Sequence, residues 1–150
     1  MAQAVKARKW LGQIQFSNMY SARLLDHFQN PRNAGDLDNP DATVEISNPA
    51  CGDVLRLSLK IKAGRIAEIG FKAKGCVPAM ACGSALTELV LGRSVEEARK
   101  LRREDVITAV GGLPQASAHA PQLALDALAT ALNQFDSRPG NAPSKLKATD

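Results

Sequence analysis

Cys76 stands at a junction between two predicted elements, where a thiol could bind a metal. It follows an alternating strand pattern that ends at Gly75 and precedes an apolar stretch of helical period that opens near Pro78. A sulfur just ahead of a helix lies near unpaired N–H groups and the positive end of the dipole. These favour the thiolate, the form that binds metals and attacks electrophilic sulfur. The alternative is a small apolar residue that seals the joint, and Cys76 alone does not decide between the two.

A second stretch favours the metal. Cys51 and Asp53 are two positions apart, separated by Gly52, where a turn-forming run opens the next strand. In an extended backbone they project to the same side, so a thiolate and a carboxylate could share one ion. Asp53 on its own would be interpreted as an ordinary turn residue.

His119 adds a fourth candidate ligand. Like Cys76, it stands two residues ahead of a proline that opens a helical pattern, here Pro121. If both helix starts face the turn of Cys51 and Asp53, the chain supplies two thiolates, an imidazole and a carboxylate. That set suits a tetrahedral zinc site or an iron site. The spacing is non-local and therefore weak evidence, and a lone histidine near a helix start is more often a capping or surface residue.

The elements that must position these residues come in two blocks, strands first and helices after. The strand patterns span Thr43–Ser47, Asp53–Ile61 and Arg65–Lys74. The helical patterns span Tyr20–Phe28, Pro78–Leu91, Ser94–Leu101, Arg103–Val110 and Pro121–Phe135. The short turn at Ala63-Gly64 implies antiparallel pairing. The order predicts an α+β fold, with a small three-stranded antiparallel sheet and helices packed on one face.

The length of 150 residues suits a single folded domain, which we assign to residues 19–135. Residues 1–18 are basic and contain no acid. We expect them to be an N-terminal extension that is disordered or reflects a mis-assigned start, since Met19 is a natural alternative. Residues 136–150, rich in Pro, Ser and Lys, are predicted to be a disordered tail.

Charge and composition exclude several classes of function. The net charge of +4 comes from the two ends and leaves residues 19–135 neutral, without the cationic face of a nucleic-acid binder. No run approaches the ~20 apolar residues that cross a bilayer, so no membrane partner is expected. Three cysteines cannot all pair within one chain, and no secretory signal is visible. A reducing cytoplasm fits these thiols best.

Over about Tyr20–Phe135 the sequence resembles the NifU/IscU-type scaffold family, on which iron–sulfur clusters are assembled. The motifs that carry the resemblance are Asp26–Asn33, Pro49–Asp53, Lys74–Cys76, Leu86–Glu88, Gly92–Ser94 and Leu113–His119. Their order and spacing together are highly specific. The family's fold is α+β with a three-stranded antiparallel sheet, which agrees with the pattern above.

The resemblance implies a ligand set residue by residue. The family's two leading cysteines correspond to Cys51 and Cys76, its aspartate to Asp53 and its histidine to His119. The third ligand cysteine of the family is Ala120 here, so one thiol of the pattern is absent. The segment that relatives use for a chaperone lacks its usual Val-Lys, which leaves chaperone docking doubtful.

The implied function is that of a non-enzymatic scaffold or carrier. It would hold a transient 2Fe–2S cluster, or a zinc or iron ion, with sulfur delivered by a cysteine desulfurase and clusters passed to recipient apo-proteins. One alternative is a zinc-bound sulfur acceptor that stimulates the desulfurase. Another is a degenerate module that keeps the partner surface and holds only a metal ion.

Two further residues are of types that could bind a metal. Cys82 lies six positions into the helix after Cys76, on the stripe of Ala79, Leu86 and Leu89 that is expected to face the sheet. It is predicted to be a buried structural thiol. His27 lies in the motif of the first helix and is a weaker candidate for the site.

Overall fold

The computed structural model describes residues 20–49 and 52–138. Within them the fold is α+β, with a three-stranded antiparallel sheet, so the predicted fold class is confirmed. The strands are β1 (Ala42–Asn48), β2 (Asp53–Lys62) and β3 (Arg65–Lys74). The α-helices are α1 (Ala22–Gln29), α2 (Val77–Val90), α3 (Val95–Arg99), α4 (Arg103–Ala109) and α5 (His119–Asp136). The predictions for residues 1–18, for Cys51 and for residues 139–150 lie outside the described residues.

The sheet has the order β1-β2-β3, so that β2 is central. Leu57 of β2 pairs with Val44 on one side and with Phe71 on the other. The tight turn between β2 and β3 holds Ala63 and Gly64 at φ 54° and 75°, as a two-residue antiparallel hairpin requires. Because side chains alternate along a strand, one face of the sheet is apolar and the other carries charge.

The apolar face is covered by helices. Leu55, Leu57 and Leu59 of β2 are no more than 1% exposed and join one core cluster with Leu86 of α2 and Leu128 of α5. The opposite face carries the exposed side chains of Glu45, Arg56 and Lys72. The predicted placement of the helices on one face therefore agrees with the structure.

Helix α2 is the central helix, since it contacts α1, α4 and α5 as well as β2 and β3. Small residues make this possible. A Cβ on Gly83 would lie 2.9 Å from the ring of Phe71, so only a glycine lets the helix approach β3 this closely. Buried residues occur around the whole helix, as expected for an element packed on every side.

The helix ends follow local sequence signals. Ser94 Oγ accepts a hydrogen bond from Glu97 N–H at 3.1 Å, and the Glu97 carboxylate accepts one from Ser94 N–H at 3.1 Å. The predicted capping box is thus confirmed, although α3 ends at Arg99 and not at Leu101. Gly92, at φ 86°, follows the C-cap of α2 as predicted.

Two helices begin earlier than the prolines predicted. Helix α2 begins at Val77, so Pro78 takes its second position, and α5 begins at His119, two residues before Pro121. Helix α5 also continues to Asp136, one residue past the predicted helix end at Phe135 and so into the first residue of the predicted tail. None of the helices in residues 20–49 and 52–138 combines the length and apolar character needed to cross a membrane.

Candidate metal centre

Three of the four predicted ligands meet at one place. Asp53 is the first residue of β2, Cys76 is the N-cap of α2, and His119 is the first residue of α5. One ligand atom from each lies within 4.8 Å of the other two. Among the described residues, these three side chains form the cluster of His, Cys, Asp and Glu side chains that could bind a metal ion.

The distances suit a metal. Cys76 Sγ lies 3.2 Å from Asp53 Oδ2 and 3.8 Å from His119 Nε2, and these last two atoms are 3.1 Å apart. With metal–ligand bonds of ~2.0–2.3 Å, a tetrahedral site has edges of about 3.3–3.6 Å. The three atoms therefore form a triangle close to one face of such a tetrahedron.

The same geometry argues against a nucleophile triad. In a triad, one imidazole nitrogen faces the nucleophile while the other is held by the acid. Here His119 Nε2 faces both Cys76 Sγ and Asp53 Oδ2. A single nitrogen shared by thiol and carboxylate indicates three donors that converge on one point.

Asp53 is the buried member of the group. Its side chain is 2% exposed, against 32% for that of His119. Its Oδ1 accepts a hydrogen bond from the backbone N–H of Cys76 at 2.9 Å, which ties the start of β2 to the start of α2. The Oδ2 atom is thereby directed toward the thiol and the imidazole. Cys76 and His119 are partly exposed, so the group is accessible to solvent on their side.

Two long helices begin at this group. Helix α2 has 14 residues and α5 has 18, and the N-terminal ends of both lie at the site. The N-terminus of a helix carries partial positive charge and unpaired N–H groups. The electrostatics of the two ends therefore favour anionic ligands such as a thiolate and a carboxylate.

The fourth predicted ligand, Cys51, lies outside the described residues, and its place in the site stays a prediction. Ala120, which stands at the family's third cysteine position, is 1% exposed and belongs to the main apolar core. Its methyl group packs like the neighbouring apolar side chains of α5. The sequence did not predict this burial, because the preceding residue, His119, is partly exposed.

Cys82 is not part of the group. Its side chain is 0% exposed within the core, and burial raises the pKa of its thiol to about 12. A thiol with such a pKa stays protonated and is a poor metal ligand. The predicted burial of Cys82 is confirmed.

His27 is buried against α2 and is likewise absent from the ligand group. Its Nδ1 lies in hydrogen-bond contact with Ser84 Oγ at 2.7 Å, and the same Oγ accepts the backbone N–H of Arg32 at 2.9 Å. Burial lowers the pKa of His27 from its usual 6.5. This histidine was a weaker candidate for the site, and its contacts give it a role in docking α1 onto α2.

The sequence did not show that the Asp26–Asn33 motif is held by polar side chains of α2, although one of them, Thr87, lies in the Leu86–Glu88 motif. Asn33 Nδ2 donates to Thr87 Oγ1 at 3.0 Å, and Thr87 Oγ1 also donates to the carbonyl of Ser84 at 2.7 Å. Ser84 and Thr87 are fully buried polar residues on a mostly apolar helix. That contrast was visible in the sequence and is the signal that could have identified them.

The fold and the group together define a small α+β domain with a Cys/Asp/His cluster at the junction of the sheet and two helix starts. Residues 19–142 match the family described as NifU-like N terminal domain. The chain belongs to this family, and the resemblance seen in the motifs is confirmed.

The relatives agree with this assignment. The chain is 43% identical over 117 residues to "Iron-sulfur cluster assembly scaffold protein IscU 1" of Archaeoglobus fulgidus, which covers 78% of this chain and 76% of that protein. It is 38% identical over 123 residues to "Iron-sulfur cluster assembly scaffold protein IscU" of Escherichia coli, covering 79% of this chain and 95% of that protein. The crystal structure of a nitrogen-fixing NifU-like protein (N-terminal) from Brucella abortus matches with a TM-score of 0.69 over 82% of this chain and 98% of that one. At 21% identity, that match supports the fold.

Proposed function

We propose that this protein is a scaffold or carrier for iron–sulfur cluster assembly. The observation that carries the proposal is the convergence of Asp53, Cys76 and His119 within 4.8 Å in a member of the NifU-like family. Cys51, two residues before Asp53, is the fourth ligand in this proposal. Relatives at 38% and 43% identity are named iron–sulfur cluster assembly scaffold proteins, which supports the same function here.

The donor set suits transient holding of a cluster. Thiolates are the soft ligands that iron–sulfur clusters prefer, whereas a carboxylate oxygen is hard and matches the cluster poorly. A set with two thiolates, one imidazole and one carboxylate holds a 2Fe–2S unit less firmly than four thiolates would. The partly exposed side of Cys76 and His119 is the route by which the cargo enters and leaves.

The partners follow from the cargo. Sulfur comes from a cysteine desulfurase, and the assembled cluster passes to recipient apo-proteins, so that this chain itself acts as a non-enzymatic holder in the cytoplasm. The segment Leu113–Ser117 leads into α5 through a short 3-10 helix over Gln115–Ser117. Because its sequence lacks the usual Val-Lys, chaperone docking is not included in the proposal.

Anaerobic reconstitution tests this function. Metal-free protein is incubated with a cysteine desulfurase, cysteine, ferrous iron and an excess of a dithiol, which reduces the delivered sulfane sulfur to sulfide and is itself oxidised to a disulfide. Visible absorption is recorded together with bound iron and sulfide. We expect cluster absorption and iron and sulfide in equal amounts. Protein that gains iron without sulfide, or neither, contradicts the proposal. The Cys82→Ser variant is the matched thiol control and is expected to assemble as the wild type does.

A second candidate is a zinc-bound sulfur acceptor that stimulates a desulfurase. The near-tetrahedral distances among Asp53, Cys76 and His119 favour this alternative, because Zn²⁺ binds thiolate sulfur, imidazole nitrogen and carboxylate oxygen in such a geometry. In this case zinc-loaded protein raises the turnover of the desulfurase and forms no cluster. The reconstitution experiment, run with zinc-loaded and with metal-free protein, separates the two functions.

A further inference from the structure

The carboxylate of Asp53 lies against a glycine that leaves no room for a larger residue. A Cβ built on Gly75 would lie 2.0 Å from Asp53 Oδ1, 2.7 Å from Asp53 Cγ and 2.9 Å from the Asp53 Cα. Real Cβ atoms essentially never approach another heavy atom within 3.0 Å. A methyl group at position 75 and the observed position of the carboxylate therefore exclude each other.

The carboxylate is also held from the Cys76 side. The backbone N–H of Cys76 donates to Oδ1 at 2.9 Å, whereas Oδ2 is 3.2 Å from Cys76 Sγ and 3.1 Å from His119 Nε2. One oxygen thus anchors the side chain and the other takes the ligand position. Because Asp53 is only 2% exposed, the packed surroundings leave little space for it to move aside.

We propose that Gly75 is a positioning residue of the metal centre and acts through the carboxylate of Asp53. The bare α-carbon of Gly75 and the N–H of Cys76 together form a cradle for Oδ1, and this cradle directs Oδ2 toward the metal. The inference deepens the proposed function, since it concerns the same site. Residues that orient metal ligands typically change metal affinity by ~10–100-fold when they are replaced.

A double-mutant cycle tests this role. The affinity for cobalt(II), alone and without a cluster, is measured by chelator competition in the wild type, Gly75→Ala, Asp53→Ala and the double variant. We expect Gly75→Ala to weaken cobalt binding by ~10–100-fold when Asp53 is present. In the Asp53→Ala background the same change should weaken binding by less than about 3-fold, because the two closest contacts, both with the carboxylate, are gone and only the marginal 2.9 Å contact with the Cα of residue 53 remains. Equal losses in both backgrounds overturn the proposal.

The visible spectrum of bound cobalt gives a second readout. If Gly75 acts through Asp53, cobalt bound to Gly75→Ala should show the d–d bands of the Asp53→Ala variant, with the thiolate-to-cobalt charge-transfer band retained. A charge-transfer band lost in Gly75→Ala would mean that the glycine acts on Cys76 instead. That result also overturns the proposal.

Gly92 offers a matched control for backbone strain. Gly75 has φ 135° and Gly92 has φ 86°, so alanine is unfavourable at both positions. A Cβ at Gly92 would meet nothing within 4 Å, in contrast to Gly75. We expect Gly92→Ala to bind cobalt as tightly as the wild type, and a loss equal to that of Gly75→Ala contradicts a role through contact.

If circular dichroism shows that Gly75→Ala does not fold, the Asp53→Glu variant is used for the test instead. The extra methylene moves the carboxylate out of the cradle while its charge is kept, and we expect cobalt affinity to fall by about 10-fold or more. Wild-type affinity in Asp53→Glu overturns the proposal. The reconstitution experiment on the same wild-type preparation tests the proposed function separately. If no cluster forms there, the cobalt affinities still test the role of Gly75.

Discussion

His119 Nε2 lies 3.1 Å from Asp53 Oδ2, although 66 positions separate the two residues in the chain. The contact joins the first residue of α5 to the first residue of β2. It depends on α5 packing across β1 and β2, which buries Leu128 and Leu132 against the sheet. The ligand group therefore depends on the packing of α5 against the sheet.

The first prediction separates the two described cysteines. Cys76→Ser should lower metal and cluster binding strongly, because it replaces the one thiolate among the three convergent ligands. Cys82→Ser should leave binding near the wild-type level, since Cys82 is 0% exposed and has a pKa of about 12. Metal content by mass spectrometry and cluster absorption measure both effects. Equal losses in the two variants would place Cys82 in the site.

The second prediction concerns the lifetime of a bound cluster. Asp53→Ala should slow the anaerobic decay of the cluster. A hard carboxylate oxygen competes for a coordination position at which a soft iron–sulfur core prefers a thiolate. The same change should weaken binding of cobalt(II) alone, which accepts oxygen ligands well. Decay is followed by visible absorption in both proteins, and faster loss in the variant would make Asp53 an essential ligand of the cluster.

The third prediction is a pH dependence that originates at His27. Burial lowers the pKa of His27 in the folded protein below its usual 6.5, so the unfolded chain binds the proton more readily. Stability is therefore fully present above pH 6.5 and falls as the pH drops from there toward the folded-state pKa. The charged groups that face His27 are Arg32, which favours this shift, and Glu88 and Asp26, which oppose it.

The His27→Asn variant isolates this effect. An amide can replace Nδ1 in the contact with Ser84 and does not titrate. On acidification from neutral pH to about one unit below 6.5, the wild type should lose more of its free energy of unfolding than the variant does. Thermal unfolding of the metal-free proteins measures the difference. Identical losses would show that His27 does not couple to folding in this range.

The fourth prediction concerns the close approach of α2 to the sheet. Gly83→Ala gains up to ~1 kcal/mol of helix propensity. It also places a methyl group 2.9 Å from two ring atoms of Phe71 and 3.0 Å from Leu55 Cδ1, and overpacking of a core costs ~1–3 kcal/mol. Because Phe71 and Leu55 are buried, we expect a net loss of about 1–2 kcal/mol in urea unfolding. An unchanged or higher unfolding free energy would show that the ring of Phe71 moves aside freely.

Local features of this protein were determined by the sequence alone. The alternation of Arg65–Lys74 predicted β3 at its observed bounds, and Ser94 with Glu97 predicted the capping box of α3. Such signals act within a few residues, so no knowledge of distant contacts is needed. The family motifs added Asp53, Cys76 and His119 as a set, and the structure brings these three together.

Tertiary structure decided what depends on distant residues. The proline at position 121 predicted a helix that starts after His119, whereas α5 begins at His119 itself. Three features arise from elements that are far apart in the chain. They are the burial of Asp53, the contact of Gly75 with the Asp53 carboxylate, and the hydrogen-bond contact of His27 with Ser84. Periodicity shows which side of an element is apolar, but not which other element covers it. The packing of one element on another fixes the position of a carboxylate such as that of Asp53, because close-packed interiors admit only side chains that fit.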